Sequence, residues 1–92
     1  MIASFRSRAL RRYWEHNDPR RLPPPFLVRI AMILDRLDAA TAPTQMDAPG
    51  LRFHALAGYM KGRYAVTVSA NWRITFAWSG DDAIEVDLED YH

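Results

Sequence analysis

Strict alternation near the carboxyl end limits what this chain can fold into more than any other feature. Trp72, Ile74, Phe76 and Trp78 take every second position, with Arg73, Thr75 and Ala77 between them. That period belongs to a strand with one apolar face. Ser79-Gly80-Asp81-Asp82 is a turn signal, and beyond it Ile84, Val86 and Leu88 set the buried parity of a last strand whose intervening residues are acidic. Two such strands in succession predict an antiparallel pair, and their shared apolar face needs a cover.

The cover is found upstream. Ser7 is placed to cap a helix in which Ala9, Leu10, Tyr13 and Trp14 recur at helical spacing, with Arg8, Arg11 and Arg12 outside the stripe. Asn17-Asp18-Pro19 ends that pattern, because proline removes a donor and restricts the residue before it. After Pro23-Pro24-Pro25 the longest helix is expected to start at Pro25 or just beyond and to finish near Ala40. Leu27, Ile30, Leu34 and Leu37 form its central stripe. Residues 2–5, 51–56 and 63–69 predict further strands, with a turn at 58–62. The expected fold class is α+β, with two N-terminal helices packed on a small, mainly antiparallel sheet, and residues 1–92 forming a single domain.

The formal net charge of +1 conceals a division along the chain. Residues 1–36 carry a net +5, residues 37–80 a net +2 and residues 81–92 a net −6. Such asymmetry either attracts an anionic partner or is satisfied inside the fold by the acidic last strand. With no cysteine, disulfides and thiolate metal sites are excluded. No apolar run approaches the roughly 20 residues that span a bilayer. The first residues lack a secretory pattern, so the expectation is a cytoplasmic location without membrane association.

Alternation also sorts the polar residues. If the Trp72 parity faces the helices, Arg73 faces away, and the last strand puts Glu89 and Tyr91 on that same outward side. His54 precedes the strand pair and can enter the same concavity. The proposed cluster is His54, Arg73, Tyr91 and His92, approached by Lys61 or Arg63 from the turn. These residue types suit cleavage of an RNA phosphodiester. A base removes the ribose 2′-proton, an acid protonates the leaving 5′-oxygen, and cationic donors stabilise the phosphorane. Histidine exchanges protons near roughly pH 6.5 and serves either step, while arginine stays charged and presents a planar fork of donors. Plainer roles compete: His54 as a surface histidine, Arg73 as a sheet cover paired with Glu85 or Asp87, and Lys61 and Arg63 as solvated residues. The tryptophans are explained by packing. No phosphate loop, calcium loop, zinc motif or serine-hydrolase elbow is present, and metal-free acid–base chemistry without a cofactor is the expectation.

Three segments together resemble the HigB branch of the RelE/ParE toxin superfamily, the plasmid-maintenance killer proteins. They are Pro49-Gly50-Leu51-Arg52-Phe53-His54-Ala55-Leu56-Ala57-Gly58, the block from Val66 through Asn71-Trp72-Arg73-Ile74-Thr75-Phe76, and Val86-Asp87-Leu88-Glu89-Asp90-Tyr91-His92. The resemblance implies a RelE-like fold with a curved sheet. It also implies a type II toxin that cuts translated mRNA at the ribosome and is neutralised by a HigA-like helix-turn-helix antitoxin. It marks His54, Arg73, Asp90, Tyr91 and His92 as catalytic positions. One departure is visible: some relatives carry a lysine where this chain has Ala57, which removes a phosphate contact that Lys61 or Arg63 could replace as substrate-binding residues. A ParE-like gyrase poison and a noncatalytic protein-binding module are the alternative readings.

Overall fold

A computed structural model of the chain describes residues 1–90. Helix α1, Arg8–His16, begins where Ser7 Oγ accepts the Leu10 amide at 3.1 Å. It ends at Asn17, whose left-handed φ of 53° turns the chain out of the helix. A 3-10 turn at Pro24–Phe26 then leads into helix α2, Leu27–Ala39. Proline suits that turn because its fixed φ matches helical entry and its missing donor is not required there. A further 3-10 turn at Pro43–Met46 lies in the linker.

Four strands follow: β1, His54–Ala55; β2, Tyr64–Thr67; β3, Trp72–Ser79; and β4, Asp82–Asp90. They form one antiparallel sheet in sequence order. Ile30, Ile33, Leu34 and Leu37 of α2, with Leu10 of α1, meet Val66, Ile74, Phe76 and Val86 in the core, all of them fully buried. Trp72 and Trp78 pack at its margin, so the expected β3 parity holds. The fold is two N-terminal helices against a small antiparallel sheet, as the sequence predicts.

Three local expectations change. Residues 2–5 make two isolated parallel bridges to β4, Ile2 to Ala83 and Phe5 to Val86, rather than a regular strand. They still cover the β4 edge, through bonds such as Ala3 N to Ala83 O at 2.8 Å. Of residues 51–56 only His54 and Ala55 are strand, since Arg52 turns with a φ of 51°. The buried parity of β4 also shifts part-way. Ala83 and Val86 are buried while Ile84 is only half-buried, because Glu85 and Val86 together oppose Phe76 in a bulge. Glu85 takes a φ of 50° there, and one extra residue reverses which side chains point inward.

Candidate active site

The sheet face away from the helices is assembled by register. Directly paired residues in an antiparallel ladder project to the same side. One row therefore joins His54, Ala65, Thr75 and Asp87, and the next joins Thr67, Arg73 and Glu89. His54 and Arg73 thus share a face, as alternation predicts, separated by two strand spacings, roughly 10 Å, across the sheet and by one two-residue step, roughly 7 Å, along it.

Arg73 is held firmly. Its Nε and Nη2 both donate to Glu89 Oε1, at 3.1 and 3.0 Å, and Nη2 lies 3.8 Å from Met60 Sδ. Its partner is Glu89 across the ladder, where the sequence suggested Glu85 or Asp87. The other Glu89 oxygen accepts the Thr75 hydroxyl at 2.8 Å. Thr75 Oγ1 in turn accepts Arg63 Nη2 at 2.9 Å, and the same nitrogen donates to the Glu85 carbonyl at 2.8 Å. A continuous polar chain therefore runs from the bulge in β4 to the guanidinium of Arg73. Glu89 and Thr75 were absent from the sequence-derived cluster, although their positions two residues from known members of the outward row carried the signal.

Arg63 is 7% exposed and anchors the buried end of this chain. Among the described residues its Nε and Nη1 find no hydrogen-bond partner, although Nη1 lies 4.0 Å from Glu85 Oε2. Burial foremost, and then the charge of Arg6, pushes its pKa below the usual arginine range, opposed by Glu89, Glu85 and Asp87. Lys61 is exposed after the 3-10 turn Gly58–Met60. His54 is exposed, with Nδ1 2.9 Å from the Arg52 carbonyl. Asp90 is exposed and pairs with Trp72, which puts it on the opposite face from Arg73. Tyr91 and His92 lie outside the described residues.

Residues 3–92 match the profile of the RelE-like toxin of the type II toxin-antitoxin system HigB. The chain belongs to the HigB-like toxin family of the RelE/ParE superfamily. Among its HigB-like relatives, "Endoribonuclease HigB" of Proteus vulgaris is 35% identical over 92 residues, covering 100% of both chains. "Toxin HigB-1" of Vibrio cholerae serotype O1 is 30% identical over 91 residues, covering 97% of this chain and 96% of the relative. The fold of this HigB-like chain is similar to a copper-bound toxin mutant from Helicobacter pylori, with a TM-score of 0.54 at 13% identity over 99% of this chain and 96% of that one. At that identity the likeness concerns the fold alone.

Proposed function

We propose that this HigB-like chain is the toxin of a type II toxin-antitoxin pair and cuts mRNA on the ribosome as an endoribonuclease. One observation carries the reading: the strand register sets His54 and Arg73 on the sheet face left free by the helices, with Arg73 oriented by Glu89. Family membership and the printed activity of the Proteus vulgaris relative support it.

In this reading residues 1–92 act as one domain. One histidine, His54 or His92, removes the 2′-hydroxyl proton. The 2′-oxygen attacks phosphorus, the bond to the 5′-oxygen breaks, and the other histidine protonates that leaving oxygen. The products are a 2′,3′-cyclic phosphate and a 5′-hydroxyl, and the chemistry calls on no cofactor or metal. Arg73 stabilises the charge gathering on the phosphorane and Tyr91 positions the nucleotide, while Asp90, which projects to the opposite face, orients a neighbouring group at the strand end rather than meeting the phosphate. Lys61 supplies an exposed phosphate contact where Ala57 supplies none, and Arg63 adds positive charge from beneath the face. The partners are mRNA, the ribosome and a HigA-like helix-turn-helix antitoxin, in the cytoplasm and away from membranes.

The test is cleavage of message on programmed ribosomes, with the RNA ends mapped. Arg73→Ala is expected to slow cleavage by about 10²- to 10³-fold, and removal of His92 to do so as well. Intact message with folded, antitoxin-free wild-type protein, or undiminished cutting by Arg73→Ala, goes against the reading.

A further inference from the structure

Helix α1 carries Arg8, Arg11 and Arg12 at three- and four-residue spacing, so their side chains share one exposed flank. Arg21, from the loop after the helix, faces them, and the four arginines line a surface hollow of about 260 Å³. Arg12 has an acidic partner, Asp18 at 3.2 Å. Among the described residues no carboxylate pairs with Arg8, Arg11 or Arg21.

Ion pairing among the described residues does not account for this arrangement. Like charges at helical neighbour positions repel, and cations in a first turn oppose the helix dipole. The first turn of α1 holds no acid to compensate. A cluster that works against its own helix needs a ligand to explain it. A protein partner would require an apolar centre to the contact, and the side chains lining the hollow provide none. Phosphate groups match it, because guanidinium forks bind them in two-point contacts and keep their charge.

Leu10 of α1 points into the core, which puts this helix on the covered side of the sheet, away from the face that bears Arg73. A backbone lying in the hollow is therefore a different stretch from one lying at Arg73. We infer that the arginine hollow is a second nucleic-acid site, which grips the phosphate backbone of a structured RNA while the message occupies the opposite face. The choice of RNA over DNA rests on the cleavage reading; the phosphate chemistry does not.

The test is binding of full-length protein to a labelled RNA hairpin, and to a DNA hairpin of the same sequence, between about 50 and 200 mM salt. Arg8→Gln/Arg11→Gln should lower the slope of log affinity against log salt by about 2 on the RNA hairpin. Across that fourfold salt range the wild type then loses about 16-fold more affinity than the variant. Glutamine keeps helix propensity, so the variant retains its fold by circular dichroism. An unchanged slope, or an equal drop from Arg36→Gln on α2, overturns the site. A larger loss on the DNA hairpin overturns the RNA assignment. An intact slope effect without message cleavage sinks the cleavage reading but not the phosphate site, whose RNA assignment then stands or falls on the two hairpins, and cleavage without a slope effect sinks the phosphate site alone.

Discussion

Thr75 is fully buried between two charged neighbours, and its hydroxyl works in both directions. It accepts from Arg63 and donates to Glu89, which makes it the joint between a buried cation and the carboxylate that aims Arg73. Thr75→Val keeps the shape and removes the joint. We expect it to lower stability by about 1–3 kcal/mol, since polar atoms of Glu89 and Arg63 lose a buried partner, while Thr75→Ser loses less. Urea denaturation of the two variants checks this, and a valine as stable as the wild type would show that the hydroxyl is not needed. Glu89→Ala removes the carboxylate to which both Nε and Nη2 of Arg73 donate. If Arg73 acts on the scissile phosphate, kcat should fall on the order of 10²-fold with KM nearly unchanged, whereas a rise in KM alone would assign Glu89 to message binding.

Elements respond to different forces. Helix α1 is only nine residues long and is loaded with like charge, so its capped start carries unusual weight. Ser7→Ala should cost about 1 kcal/mol, read as a lower urea midpoint at unchanged m-value. No change in midpoint would mean that packing of Leu10 alone sets the helix. Strand β4 illustrates how far pattern reading reaches. Its existence and the parity of Val86 were legible from alternation, but the Glu85 bulge was not, because no glycine or asparagine marks the residue that takes the left-handed conformation. The bulge nevertheless matters at the site, since its carbonyl is what Arg63 holds.

At the scale of the whole molecule, charge is divided between structural and free use. The acidic last strand draws in Arg6, Arg63 and Arg73 and the chain's amino group, through Glu85, Glu89 and Asp82. Arg12 and Arg20 instead close on Asp18, whose carboxyl they hold far below the ordinary range, chiefly through hydrogen bonds from Arg20. A depressed carboxyl binds fewer protons folded than unfolded, so its stabilisation is present above the unfolded value near roughly pH 4 and fades as pH falls. Tm of wild type and Asp18→Asn should therefore differ at neutral pH and converge on acidification. Parallel curves down to acid pH would remove Asp18 from the acid limb.

The sequence by itself determined the element order, the apolar faces and the outward side of Arg73, because helical and strand periods are local properties of side-chain spacing. It also displayed the charge asymmetry without saying how it is used. Only the tertiary structure decided that Glu89 is a partner of Arg73, that Arg63 is buried, and that Arg8, Arg11 and Arg21 meet no carboxylate among the described residues. Those outcomes depend on ladder register, on one inserted residue and on where a loop returns to a helix, all of which bring together positions far apart in the chain.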